Sequence, residues 1–431
     1  MPSLPGEFQP AQFIPPATCR TCHADIYSQW KGSMHALALQ DPVFQELSKH
    51  FLAQVETDAQ RKEAQTCVRC HTPAGHLAGE IVTSEGDYDA VSAPFDEGIF
   101  CDFCHSVKAS AGIGNAPFLV EPGNGPQAPG VKRGPFADAR SPYHGSEYSE
   151  LHTRAEFCGM CHEVAHVSFG TPIERTYTEW RSGPYNTGDP ATTVPCQDCH
   201  MRQRPGIPAT GSTARPDNPG QAALGGPQRP HIYTHYFVGG NSAVPALPGA
   251  AVSAQMAEER LKNAATIELL PAEGWRPGGL ATFEVKVNNV GAGHYLPTGS
   301  TEIRQMWLEV TVKDATGREL FHSGAVDEEG RLDPGAVIFG TVVGDASGKP
   351  TANLVMATHV LFDRRIPPKG FDRAGYTFLL PADAAAPLDI KATLRYRLAP
   401  QELVNELLGK EAPRLPIIDM ALASLAVAPI S

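Results

Sequence analysis

The chain has 431 residues, 35 basic and 47 acidic, for a net charge of −12, and 42 % of it is hydrophobic. That composition supports a packed core, excludes a wholly disordered chain, and argues against nucleic acid, which selects a basic face. No apolar run reaches the ~18 residues of a membrane helix; the nearest, Ile417 to Ile430, is broken by Asp419 and Pro429. Length predicts two to three domains, and 41 glycines with 39 prolines predict much irregular backbone.

The ten cysteines all fall in one repeated pattern, C-x-x-C-H. In chain order these are Cys19-Cys22-His23, Cys67-Cys70-His71, Cys101-Cys104-His105, Cys158-Cys161-His162 and Cys196-Cys199-His200. Two thiols three residues apart on a helical turn reach the two vinyl groups of one porphyrin, and the adjacent histidine stands under its iron. Zinc would need two cysteine pairs per ion, and an odd number of pairs, each with an extra histidine, does not fit that rule. A disulfide scaffold would not keep one spacing so strictly. The cysteines therefore predict five covalently bound c-type haems, with iron held on the proximal side by His23, His71, His105, His162 and His200.

The motifs occupy residues 19–200, about 36 residues each, too few to wrap haems singly; short helices and loops must pack the haems against one another. Within this region Glu121 to Phe136 is dense in Gly and Pro and reads as a loop. Gln203 to Pro230 is similar and reads as a wrapping or linking segment. Ser253 to Ala264 has helical composition, with Met256, Leu261 and Ala265 on one side. From about residue 265 the pattern changes to period two, at Thr282–Asn288, Met306–Val312, Glu319–His322, Tyr376–Leu380 and Ile390–Tyr396, with a short helix over Gln401–Leu408. The expected fold is α+β with two domains: a helix-and-loop multihaem cytochrome c domain at 1–245, including the Pro/Gly-rich segment 203–230, and an immunoglobulin-like β-sandwich at 265–431. A linker helix at 246–264 joins them.

An internal echo links two parts of the first region. Tyr27-Ser-Gln-Trp30 is followed five residues later by His35, and Tyr177-Thr-Glu-Trp180 by Tyr185. A duplicated haem-binding unit whose ligand position diverged would leave this trace; so would coincidence.

The first half resembles multihaem cytochromes of the cytochrome c554 family in CRTCHADIYSQWKGSMHA (19–36), KRGPFADARSPYHGSEYSELHTRAEFCGMCHE (132–163), TYTEWRSGPY (176–185) and CQDCHM (196–201). VNNVGAGHYLPTGSTEIRQMWLEV (287–310) resembles the β-sandwich appended to many of them. Four haems are usual in that family, so a fifth motif departs from it. The resemblance implies that distal histidines complete most irons. His35, in W-x-x-S-x-H, and His235, in H-Y-F-V-G-G, sit in family-like contexts. His144 and His152 precede the fourth motif, and His294 lies among glycines at a strand end. His76 follows His71 too closely to reach the far face of the same haem, but is within reach of a neighbour's. His166 stands under the same restriction after His162. His231 neighbours His235, while His50, His322 and His359 read as surface or structural histidines.

Mostly bis-histidine irons are coordinatively saturated, which favours passing electrons over binding substrate. The expected function is electron carriage between extracytoplasmic partners, either other cytochromes or a membrane quinol-oxidising complex, with no acid–base catalyst. One alternative is an oxidoreductase acting on a small nitrogen or sulfur compound at one open haem, with Tyr185, Arg181 or His166 supplying protons. Another is a structural subunit of a surface cytochrome complex or filament assembled through the β-sandwich. Covalent haem attachment takes place outside the cytoplasm, and MPSLPGEFQPAQFIPP lacks signal-peptide character. The expectation is a removed signal peptide and a periplasmic or cell-surface location.

Overall fold

In the computed structural model, residues 1–243, 251–271 and 274–428 are described. The expected boundary between residues 245 and 246 lies outside them. Residues 1–243 are short helices joined by loops. The longest, Pro42–Ala53, starts with Pro at its first turn and with the Asp41 carboxylate accepting from Val43 N, which satisfies an end donor. Asp58–Ala64 is capped reciprocally by Thr57 and Gln60. Every motif sits on or against a single helical turn: His23 N, His71 N and His162 N each bond the carbonyl of their motif's first cysteine at 2.9–3.1 Å. The third and fifth motifs lie in the helices Cys101–Ser106 and Cys196–His200. One turn puts residues i and i+3 on the same side, so both thiols of each motif point one way.

The later half is a β-sandwich. One antiparallel sheet runs Phe371–Leu379, Leu280–Asn289, Ala265–Pro271. The other runs Glu319–Ser323, Gln305–Lys313, Leu388–Arg397, Ile418–Val427, with Val337–Phe339 also paired to Gln305–Lys313. Period two does the sorting: Ala281, Phe283, Val285 and Val287 from the first sheet meet Met306, Leu308, Val310 and Val312 from the second in one buried core. A small third sheet joins Pro350–Thr351, Thr341–Gly344 and His359–Asp363. The linking helix spans Ala251–Leu261 and buries Met256, Ala257 and Leu261.

Two differences from the sequence reading are informative. The stretch Glu121 to Phe136 is not wholly a loop, because Val131–Gly134 pairs in parallel with Gly145–Tyr148. Flanking Gly and Pro hide this strand, and its partner lies outside any local window. The strand expected at Tyr376–Leu380 begins at Phe371, since Leu280–Asn289 continues to pair with it and Arg373 reaches across to Glu284 at 3.1 Å. Tertiary pairing thus overrides the weak local propensity of Asp372, Arg373 and Gly375.

Leu308 is fully buried between the sheets. Leu308→Ala is expected to destabilise the sandwich by about 2–5 kcal/mol, read as a lowered urea midpoint by tryptophan fluorescence with the haem Soret band unmoved.

Candidate haem-binding cavity

A connected cavity of about 1540 Å³ is lined by residues from Ile14 to Leu398, all ten cysteines among them. No two of the cysteines form a disulfide. Thiols of different motifs approach one another: Cys19 meets Cys101, Cys70 meets Cys161, and Cys158 meets Cys196 within hydrogen-bonding range.

The motif histidines also line this space, and each is held from behind. His23 Nδ1 donates to Ala222 O at 2.7 Å, His71 to Ala38 O at 2.9 Å, His105 to Arg133 O at 2.6 Å and His200 to Val238 O at 2.8 Å. A carbonyl only accepts, so Nδ1 carries the proton and the Nε2 lone pair is left for a metal. His162 differs: its Nδ1 donates to the Glu174 carboxylate at 3.1 Å. The irregular segments supply these acceptors. Arg133 O belongs to the strand hidden in the Gly/Pro-rich stretch, and Ala222 O to the wrapping segment, which also bonds Leu224 N to Cys22 O at 2.8 Å.

Three of the other cavity histidines face motif histidines ring to ring. Centroids are 6.2 Å apart for His35 and His162, 6.4 Å for His105 and His235, and 6.4 Å for His200 and His294. A metal–imidazole bond of about 2 Å on each side, plus about 1 Å from nitrogen to ring centre, gives a separation of about 6 Å. Burial holds His35 and His235 down to about 3, so both rings are neutral, the form that ligates. Phe237 wedges between them, 4.5 Å from His35 and 5.3 Å from His235, and adopts a left-handed φ of 47° to do so. A bulky residue accepts that conformation only where its surroundings impose it.

The remaining candidates are placed differently. His144 lines the cavity with Nδ1 on Gly145 O at 2.8 Å. His152 lies 5.8 Å from His105, but its nitrogens bond Ser149 Oγ at 2.8 Å and Cys104 O at 3.0 Å. His76 is buried on the helix Pro73–Ala78 and is not among the cavity residues. His166 is buried against Val355 O at 3.1 Å, with Glu63 beside it. The face of His71 stacks on Phe44 at 3.6 Å and 6°.

The Y-x-x-W echo is structural. Tyr27 and Trp30 sit 5.6 Å apart at 51°, Tyr177 and Trp180 5.7 Å apart at 41°. Trp30 Nε1 donates to Ile99 O and Trp180 Nε1 to Val194 O, each at 2.8 Å. Both acceptors stand two residues before a motif, the third and the fifth. Tyr185 is buried beside Gly293, in the loop that carries His294.

Residues 18–106 match the family model described as cytochrome c554 and c-prime. Among solved structures, the chain is similar to a penta-heme cytochrome c552 from Thermochromatium tepidum, at 22 % identity and a TM-score of 0.65, over 97 % of this chain and 100 % of that one. The chain has the fold of a multihaem cytochrome c. Its cofactor is covalently bound haem c, and the thiols, free lone pairs and cavity fit that group. A CARDB domain from Pyrococcus furiosus aligns over 38 % of this chain and 87 % of that one at 14 % identity, but a TM-score of 0.17 gives it no weight. No curated protein matches. Among the described residues no helix of the cytochrome is long and apolar enough to cross a membrane.

Sequence reasoning missed Glu174, Phe237 and Phe44, which carry no motif, and the carbonyl acceptors, which have no side-chain signature at all. Beside Glu174, burial pushes the Glu302 carboxyl up to about 8. The folded state therefore keeps a proton that the unfolded chain releases near the ordinary value of 4.5. Stability is full below that value and falls as pH rises towards about 8. Glu302→Gln is expected to flatten this decline, measured as urea midpoints of the two holoproteins between about pH 5 and 8.

Proposed function

We propose that the protein carries five covalently bound c-type haems and relays electrons between extracytoplasmic redox partners. The observation that carries this is the set of opposed imidazoles. When bound, haem c supplies one-electron iron chemistry tuned by axial ligands and burial. His162 with His35, His105 with His235, and His200 with His294 are the proposed axial pairs. His144 is assigned opposite His23, since it shares the cavity and has its Nδ1 engaged as the proximal rings do. His152 spends both nitrogens on protein oxygens and His76 is not a cavity residue, so neither belongs to the set. The close thiols support an arrangement in which the first site neighbours the third, and the fourth neighbours both the second and the fifth. Covalent attachment favours the periplasm or cell surface. The net charge of −12 favours partners with basic faces, through steering that weakens with salt. Another cytochrome or a membrane quinol-oxidising complex fits that role.

A second reading attaches to His71. Like that of His23, its ring stands opposite no other imidazole among the described residues; with His144 assigned to His23, no unengaged cavity histidine is left for it, and Phe44 stacks on its face. That arrangement favours one open iron, at which a small nitrogen or sulfur compound would react. Tyr185 packs beside the His294 loop instead, at the fifth site.

Pyridine haemochrome analysis is expected to give five haems per chain, with fewer than five overturning the count. In the EPR spectrum of the oxidised protein the ligand set predicts low-spin signals from four sites and a high-spin signal from one. His144→Ala should add a second high-spin equivalent, and His152→Ala should add none. Five low-spin centres would remove the open site and leave the relay. A high-spin signal that shifts with nitrite or hydroxylamine would favour the oxidoreductase.

A further inference from the structure

We infer that Glu179, with Arg365 and Thr298, positions the His294 ring opposite His200. The inference rests on the reading of that pair as axial ligands and extends it to the groups that hold the ligand in place.

His294 is the one proposed ligand that comes from the sandwich. Its loop, Gly291 to Gly299, holds three glycines and needs outside support to fix a ring. Part of that support comes from the sandwich. Asn289, fully buried, donates Nδ2 to His294 O at 2.9 Å and to Ile366 O at 3.1 Å, and its Oδ1 accepts from Ala292 N at 3.0 Å. Leu296 and Ile366 exchange backbone bonds at 2.9 and 3.0 Å. These contacts tie the loop to its own sheets and leave its placement against the haem region open.

Glu179 closes that gap. It lies on the helix Thr176–Arg181 of the cytochrome region, with its side chain only 5 % exposed. Its Oε2 accepts from Tyr295 N at 3.1 Å and Thr298 Oγ1 at 2.6 Å, and its Oε1 accepts from the Arg365 guanidinium. Arg365 is held in turn by Asp363 at 2.8 Å and lies over the Tyr295 ring at 5.3 Å. Tyr295 is thus gripped at its N–H by Glu179, while its carbonyl receives His294 Nδ1 at 2.8 Å and orients the imidazole. A buried carboxylate with three donors is strong and directional. The same network reaches back to another site. Thr298 Oγ1, its proton given to Glu179, accepts from Thr176 Oγ1 at 2.8 Å, and Thr176 Oγ1 lies 3.3 Å from Glu174 Oε1, the oxygen that receives His162 Nδ1. A line of close polar contacts therefore joins the back of the fourth site to the ligand loop of the fifth.

The test uses the full holoprotein with His294→Ala as reference. Readouts are the high-spin ferric EPR signal and carbon monoxide binding to the dithionite-reduced protein. His294→Ala is expected to add one high-spin equivalent and one carbon monoxide site over the unsubstituted protein. Glu179→Ala is expected to reproduce both changes with every haem still attached. Glu179→Gln, whose amide oxygen still accepts from Tyr295 and Thr298, should show a smaller change. If His294→Ala alters the spectra and Glu179→Ala does not, the positioning role is overturned while the ligand assignment stands. If His294→Ala changes nothing, the ligand assignment itself fails, and the inference with it. Should Glu179→Ala not accumulate with its haems, Thr298→Val decides. Raised carbon monoxide binding supports the role, and binding equal to that of the unsubstituted protein overturns it.

Discussion

The constraint on which the rest of the structure depends is a shortage of side chains. Between Cys19 and His200 the chain surrounds a cavity lined by ten thiols where a domain of this length would ordinarily place leucines and valines. The aromatic cluster of Phe13, Phe95, Phe100 and Phe103 packs one wall of it. The other walls are one-turn helices and loops whose polar backbone is oriented towards motif histidines. Covalently bound haem c fits that cavity, and attachment is expected to be coupled to folding, as metal binding is in small metalloproteins.

That constraint explains what was legible in the sequence. The motifs were readable because their chemistry is local: two thiols and an imidazole within one turn report their purpose without any knowledge of the fold. The sandwich was readable because alternation at Thr282–Asn288 and Met306–Val312 is also local, and both stretches lie within longer strands of the core. His35, His235 and His294 could be nominated, but not matched to partners, because each faces a motif far away in the chain. Glu174 behind His162 looked like any loop acid. The carbonyls of Ala38, Ala222 and Val238 carry no side-chain information whatever, although they fix the tautomer of three proximal rings.

The two halves of the chain are not independent modules. The Gly211 N–H bonds Gly291 O at 2.8 Å, Ser253 Oγ bonds Gly32 O at 2.6 Å, and Asn353 reaches Gln54 at 3.0 Å. A sandwich serving only as a dock for partners would not need bonds to separate parts of the cytochrome region, made by its own residues and by the linking helix. These contacts fit a sandwich that completes the cofactor environment.

The paired tyrosine–tryptophan units carry a structural consequence. Their indoles donate to carbonyls at matching distances before two different motifs, an arrangement that fits a duplicated unit. In the first copy the ring that follows is His35; in the second it is Tyr185. Where the first unit's His35 faces His162 within the same region, the second unit's Tyr185 packs against the sandwich loop, so the second unit ties the two halves of the chain together.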